Sequence, residues 1–503
     1  MNKNVVYIIG LLMMVTSCSD FLEPKSQSEF VPKNAVSLNE MLLGDAYPQP
    51  NVSSCYLFSL QTMLDDDICC SSLPYTAYQV AQLPGYNALY SWQPDMFYLM
   101  GEVNIFYNVW ESYYQFILGA NAALDYIDDM VGTYEEKAIV KAQSYALRAL
   151  YYFNLVNLFG EPYNHNKKAL GVPLKISSEL TSTLPARNTV EEVYTQIEKD
   201  LNVAEKFYLS LPESSQFSKN YRTSLPMVQL LKSRVYLHME RWSEAAEYAD
   251  KVISDWSFSL VDLNTLPAPT AKEPYYNFIS FDCSETIWLY GSVDDVTKYN
   301  KFIIGGQDKQ PRWYMFNAST DLLTGYVGGD LRKERYIVKE YSDPTIYLTF
   351  GKYLISSTHV PSSGTEFGVA FRLAEAYLNL AEGAALSNDP VTARAAINTL
   401  REHRFTPETY TPMPELTGQD LVDYIRQERR LELCYEGFRW FDLRRYGMPS
   451  IEHTWYDASG NRTVYTLKEK DLGYVLPIPQ DAMDTNSALI QNELAPERVG
   501  EVN

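Results

Sequence analysis

Glu428, Glu432 and Glu436 recur every four residues within YIRQERRLELCYEGFRWFDLRRYG, residues 424–447. That step places three carboxylates along one face of a helix. Carboxylates so placed could work as an acid–base pair or hold a metal ion. Arg429, Arg430, Arg439, Arg444 and Arg445 crowd the same stretch. Guanidiniums lower the pKa of carboxylates beside them, the wrong direction for a general acid. The pattern therefore predicts bidentate Arg–Glu pairs that lock helices together. Asp65, Asp66 and Asp67 form a second acidic group. Three consecutive acids are not spaced like a calcium loop. They predict a solvated loop or contacts to ligand hydroxyls. The histidines at 165, 238, 359, 403 and 453 are scattered, with no H-E-x-x-H and no G-x-S-x-G. GGQDKQ and VGGDLRKE read as turns, not phosphate loops. No catalytic residue, metal or cofactor is assigned. A hydrolase using Asp65 to Asp67 or the Glu428 helix is the only enzymatic reading left.

The cysteine at position 18 suggests a different chemistry. Lys3 precedes an apolar run from Val5 to Thr16, followed by Ser17-Cys18. The run is shorter than the ~20 residues needed to span a bilayer and has the form of a signal-peptide core. Small residues before a cysteine resemble the bacterial lipobox, in which the thiol is acylated. Residues 1–17 are expected to be a lipoprotein signal peptide. Residues 18–35, the lipidated Cys18 followed by a polar, proline-containing stretch, are expected to be a flexible tether. The remaining cysteines, Cys55, Cys69, Cys70, Cys283 and Cys434, are odd in number and are expected to be unpaired. A net charge of −21 argues against nucleic acid, which needs a cationic surface. The 40 tyrosines and 8 tryptophans hint at a wet binding surface.

Helices must position these groups. In KAQSYALRALYYFNLVNLFGEP, Ala142, Ala146, Ala149, Phe153 and Val156 share a face, and Gly160 and Pro162 end it. NTVEEVYTQIEKDLNVAEKF begins with Asn188 or Thr189 as N-cap and carries Val193, Ile197, Leu201 and Ala204 as its apolar stripe. Residues 230–253 read as two helices turning near Glu240-Arg241. Residues 371–404 read as two more, with Asp389 as N-cap and Pro390 at the first helical position. Their small–large alternation resembles a tetratricopeptide unit. The fold class is thus mainly α: a tetratricopeptide-like scaffold, with helical repeats about 103–255 and 366–447. Large irregular insertions are expected at about 45–100 and 256–365.

The segment E-R-R-x-E-L-x-x-E-G-x-R-W-x-D-L-R-R, Glu428 to Arg445, resembles the C-terminal signature of the SusD/RagB family of outer-membrane lipoproteins. Arg430, Trp440, Asp442 and Arg444 belong to it with the three glutamates and Arg439. Other stretches match in order: SDFLEP after Cys18, LRALYYFNLVNLFGEP, SETIW, FRLAEAYLNLAEG and GYVLPIPQDAMDTN. The resemblance implies one SusD-like domain over 36–503, anchored by lipid and exposed on the cell surface. It implies an oligosaccharide or polysaccharide ligand and a SusC-like TonB-dependent transporter as partner; some relatives handle peptides instead. It also implies a ligand face drawn from the two irregular regions. Trp92 and Tyr90 in the first, with Trp313, Tyr314 and Arg312 in the second, are the expected ligand contacts. Trp110, Trp242, Trp288 and Trp440 are expected to be packing residues.

Overall fold

The structure, a computed structural model, describes residues 32–502 apart from 50–56, 58, 73–74, 76, 104, 106–107, 270–274, 294–295, 297–302, 305–312, 340–346, 350 and 354–366. Helices dominate. The early ones are α1 (Ala35–Asp45), α2 (Ser59–Leu64), α3 (Ala77–Tyr90) and α4 (Met96–Glu102). Next come α5 (Val109–Tyr126), α6 (Tyr134–Phe159), α7 (Val190–Leu209), α8 (Leu225–His238) and α9 (Trp242–Ser254). After a long excursion follow α10 (Leu373–Leu386), α11 (Pro390–Glu402), α12 (Gly418–Leu433), α13 (Arg439–Arg445) and α14 (Gln480–Thr485).

Local chemistry accounts for the helix ends. Thr133 caps α6 and Thr189 caps α7, each in a reciprocal capping box with the glutamate three residues on, Glu136 and Glu192. Such a box satisfies two backbone N–H groups that the first turn leaves without partners. Gly160 is the C-cap of α6, as its position in the sequence suggests. Glu240 turns the chain between α8 and α9 with a φ of 59°. Asn388 does the same before α11 with a φ of 63°. The Asp389 side chain then accepts the Thr392 backbone N–H.

The helices stack in one unbroken series. α5 packs on α6, α6 on α7, α7 on α8, α8 on α9, α9 on α10, and α10 on both α11 and α12. The junction of α9 with α10 closes over a chain excursion of more than a hundred residues, so the 256–365 region leaves and rejoins one continuous scaffold. Its two ends are tied by an antiparallel ladder of β2 (Thr286–Ser292) and β8 (Phe367–Arg372), both buried throughout. The stretch beginning at Phe371 therefore starts as strand and becomes helix only at Leu373. Shorter ladders join β1 (Ile68–Cys70) to β5 (Phe316–Ala318), β3 (Ile303–Ile304) to β4 (Trp313–Tyr314), and β6 (Val338–Lys339) to β7 (Tyr347–Leu348). β9 (Ile451–Tyr456), β10 (Arg462–Leu467) and β11 (Glu501–Val502) form a small sheet near the C-terminus. Among the described residues, no helix is long and apolar enough to cross a membrane. Cys69, Cys70, Cys283 and Cys434 are free thiols; Cys55 lies outside the described residues.

The expectation for 45–100 needs correction: much of it is helical, in α2, α3 and α4. Leu60, Met63, Leu83, Ala88, Leu89, Met96 and Met100 are all buried. α2 and α4 are only 6 and 7 residues long, too short to repeat an apolar stripe, which is why the periodicity is silent. Pro84 and Gly85 inside α3 also read as punctuation. Gly85 is there for packing: a Cβ would sit 2.5 Å from Val103 Cγ2 and 3.1 Å from Met100 Cα.

The alanine-rich helix faces allow close approach. Ala374, Leu378, Ala381, Ala393, Ile397, Leu421 and Ile425 form a second core among α10, α11 and α12. At Gly383 a Cβ would lie 2.7 Å from the Trp242 carbonyl and 3.0 Å from the Ala246 nitrogen, both backbone atoms of α9. Gly383→Val is expected to lower stability by about 2–3 kcal/mol, because the α9–α10 contact must spread. Gly44, in α1, has open space around it. Gly44→Ala should be neutral or stabilising by up to about 1 kcal/mol. Urea midpoints of the two variants check the contrast.

Candidate functional site

The Glu428–Glu436 segment is a charge lattice, buried almost completely. Glu432 accepts Arg404 Nε at 2.9 Å and the Tyr336 hydroxyl at 3.0 Å. Glu285 accepts Arg404 and Arg372, each at 2.7 Å. Glu436 accepts Arg372 at 2.6 Å and Lys352 at 2.5 Å. Glu428 pairs with Arg332 at 2.8 Å and with Arg401, and Asp330 takes the other edge of Arg332. Five acids thus face five bases. Burial opposes ionisation of Glu432, but Arg404 and Arg372 outweigh it and hold its pKa at about 2. Burial likewise opposes ionisation of Glu436, and Arg372 and Lys352 draw it below the usual range. Neither group can donate a proton at neutral pH. A neighbouring set joins Arg429 and Arg445 to Asp442, each at 2.8 Å, and Arg445 to Glu382 at 2.6 Å. Arg444 donates to the backbone carbonyls of Tyr474 and Gly160. Trp440 is fully buried, stacked on Tyr474 with centroids 5.0 Å apart.

Asp65, Asp66 and Asp67 are not a solvated loop, and this corrects the sequence reading. Arg439 binds Asp66 through two nitrogens at 2.6 and 2.8 Å. Arg430 binds Asp67 at 2.7 Å and Asp321 at 2.5 Å. Burial opposes ionisation of Asp66, yet Arg439 brings it to about 2. Burial, with the charges of Asp67 and Asp66, pushes Asp65 well up. Arg439 and Arg430 lie 363 or more positions from these acids, so nothing local signals the pairing.

Trp92 and Tyr90 are likewise core residues, each 1% exposed. Their rings sandwich His453, with centroids 4.1 and 4.0 Å away. The Trp92 indole donates to the Leu64 carbonyl at 2.9 Å, and Trp92 adopts a φ of 51°. His453 places its two ring nitrogens 2.6 and 2.8 Å from the Tyr90 and Asp65 carbonyls. Neither ring has a face free for a ligand; their polar neighbours serve an internal joint. Trp313 and Tyr314 form strand β4 against Ile304 and Ile303, and Arg312 lies outside the described residues, as does Cys18. Trp288 is fully buried and stacked on Tyr290.

A large concavity lies elsewhere among the described residues. A groove of about 740 Å³ opens between α4, the outer face of α5, the 173–185 segment and α14. Phe97, Tyr98, Trp110 and Tyr114 supply its rings, and Glu102, Asn108, Glu111, Gln115, Asp481 and Asn486 its polar groups. Tyr98 is 64% exposed. Trp110 and Tyr114, one turn apart, lie 5.2 Å from each other. Asn108 and Gln115 both point amide N–H groups at Glu111, at 3.4 and 3.2 Å, leaving their carbonyls as acceptors. The walls are tied together: the Tyr114 hydroxyl donates to the Pro173 carbonyl at 2.8 Å, and Asn486 donates to the Pro185 carbonyl at 2.9 Å. This volume lies in the range of small-molecule sites, and aromatic planes beside amides and carboxylates suit a hydroxyl-rich ligand. Trp110 is a packing residue, as expected: it is buried and meets Phe159 edge-on with centroids 5.0 Å apart, so only its rim reaches the groove. The groove's exposed residues on α5, Glu111, Gln115 and Leu118, recur at three- and four-residue steps, a signal present in the sequence.

Two family models cover most of the chain. One, the SusD family, matches residues 317–494; the other, described as starch-binding associating with outer membrane, matches residues 20–237. Among curated proteins, SusD-like protein P25 of Formosa agariphila is 22% identical over 77% of this chain and 78% of its own length. SusD-like protein P38 of the same organism is 24% identical, over 67% and 72%. Among solved structures, a SusD superfamily protein of Bacteroides thetaiotaomicron superposes with a TM-score of 0.69 at 22% identity, covering 92% of this chain and all of that one. A protein of Bacteroides vulgatus described as SusD-like and carbohydrate binding gives 0.67 at 21% identity, covering 91% and 98%.

The charge lattice makes a testable demand. Glu432→Gln leaves Arg404 and Arg372 under-compensated in a dry interior and is expected to cost about 3–5 kcal/mol. The pH dependence has a defined sign. Glu432 and Asp66 have folded-state pKa values below their unfolded ones, so the unfolded chain binds more protons in between. Their contribution is complete above about pH 4.5 and is lost as the pH falls toward 2. Urea unfolding from pH 7 to 2.5 should show that loss, with a shallower slope in Glu432→Gln.

Proposed function

The chain belongs to the SusD/RagB family, and from that premise we propose that it is a glycan-binding lipoprotein of the outer membrane. It captures oligosaccharide at the cell surface and passes it to a SusC-like TonB-dependent transporter. Cys18 carries the lipid that keeps it there. The observation that carries the binding reading is the groove of about 740 Å³ with its exposed Tyr98 ring. Sugars present apolar C–H faces and many hydroxyls; rings take the former and the Asn108, Gln115 and carboxylate oxygens the latter. The wider family context supports the same ligand class, since one matching model is described as starch-binding. The acids of the chain fit binding better than hydrolysis: Glu432 and Glu436, in the segment that could have carried an acid–base pair, are locked in the ionised state by arginine and lysine. No bond in the cargo is made or broken, and no cofactor is used. Trp313, Tyr314 and Arg312 are proposed as further contacts on the insertion.

Calorimetry of the full-length chain in detergent against oligosaccharides of four to six units should give Kd values on the order of micromolar to millimolar. Tyr98→Ala should weaken binding roughly three- to tenfold, the worth of one aromatic contact. If Trp313→Ala abolishes binding while Tyr98→Ala leaves it intact, the principal site is on the insertion. Retention of peptides with no glycan bound favours the peptide-carrying version of the same scaffold. Mass spectrometry of protein from cells should find acyl chains on Cys18, and Cys18→Ala should release the protein from the membrane.

A further inference from the structure

The charges around the groove narrow its ligand. Glu102, Glu111 and Asp481 line it, all three exposed, and Lys175 is the one cationic side chain among the described lining residues. One of the three N–H donors of Lys175 goes to the Glu179 carbonyl. Arg187, two residues past Pro185, is buried and holds backbone carbonyls. It donates to the carbonyls of Gly171 at 2.7 Å, Leu170 at 2.8 Å, Ile490 at 2.8 Å and Phe159 at 3.0 Å. An acidic sugar entering the groove would therefore meet three carboxylates against the single ammonium of Lys175, a net charge that repels it. A neutral sugar would meet the same carboxylates as hydroxyl acceptors, and hydrogen bonds to ionised acceptors are the stronger kind.

We propose that the groove between α4, α5 and α14 selects uncharged oligosaccharides and excludes uronate-containing or sulfated ones, through Glu102, Glu111 and Asp481. This rests on the glycan-binding reading and deepens it. Rejection is electrostatic: like charges in a partly dehydrated cleft repel over several ångströms, and salt screens them. Selection is thus a matter of what the site repels as well as what it holds.

The test uses the full-length chain in detergent with a neutral panel (maltohexaose, cellohexaose, xylohexaose and mannohexaose), a charged panel (hexagalacturonate and a chondroitin sulfate hexasaccharide) and hexalysine. At least one neutral hexasaccharide should bind, with Tyr98→Ala weakening it. The acidic ones should bind about tenfold or more weakly at 20 mM salt, with the gap narrowing at 500 mM. Glu102→Gln combined with Asp481→Asn should narrow the gap at low salt. Acidic glycans binding as tightly as neutral ones, through contacts that Tyr98→Ala disrupts, would overturn the proposal. So would neutral binding indifferent to Tyr98→Ala, which places the glycan elsewhere and leaves the glycan-binding function intact. Binding of hexalysine with silence from every glycan would overturn the glycan reading itself, and this proposal with it.

Discussion

The interior of this protein is organised around Glu432. That carboxylate sits in α12, fully buried, between arginines that come from three other parts of the chain: Arg404 after α11, Arg372 at the end of β8 and Arg332 in the central excursion. Burying so many charges is costly unless nearly every one has a partner at good geometry. Here Glu285, Glu428, Glu436 and Asp330 supply those partners, and bidentate guanidinium–carboxylate pairing fixes both distance and angle. The lattice therefore acts as a register. Glu285, Arg332, Lys352 and Arg372 belong to the excursion, while Arg401, Arg404, Glu428, Glu432 and Glu436 belong to the helical stack and the turn after it. A displaced excursion would leave several buried charges bare at once.

The same device holds the front of the chain to its back. Arg430 and Arg439 bind Asp67 and Asp66, and the backbone of that loop meets His453, which the Tyr90 and Trp92 rings enclose. Asp65, Asp66, Asp67, Tyr90, Trp92, Arg430, Arg439 and His453 thus form one joint. Its composition, aromatic rings among polar groups, is what a sugar site would also display. The difference is solvent access, and burial of both rings at 1% decides it. The groove over α4 and α5 has similar residues with the opposite outcome: Tyr98 stands 64% exposed because the chain there runs along the outside of the stack.

That groove is a product of the scaffold's shape. α5 offers one face to α6 and the core, and its other face, with Glu111, Gln115 and Leu118, is left outward. The 173–185 segment and α14 then close the sides, held by hydrogen bonds to Pro173 and Pro185. Rigid walls of this kind favour a preformed site, in which little ordering cost opposes a weakly bound sugar.

Much was legible in the residues alone. The N-cap at Thr189, the Asp389-Pro390 start and the 3.6-residue periodicity of α6, α7 and α9 are local interactions, so short stretches of sequence determine them. The clash between a catalytic role for Glu428–Glu436 and the surrounding arginines was legible for the same reason: those groups are neighbours along the chain. The helices of residues 45–100 were not, because two of them are under two turns long and the third holds a proline, so no stripe repeats. The fate of Asp65–Asp67, Tyr90 and Trp92 was decided only by tertiary structure. Their partners, Arg430, Arg439 and His453, are hundreds of residues distant, and whether an aromatic ring meets solvent or another ring depends on what the folded chain lays over it.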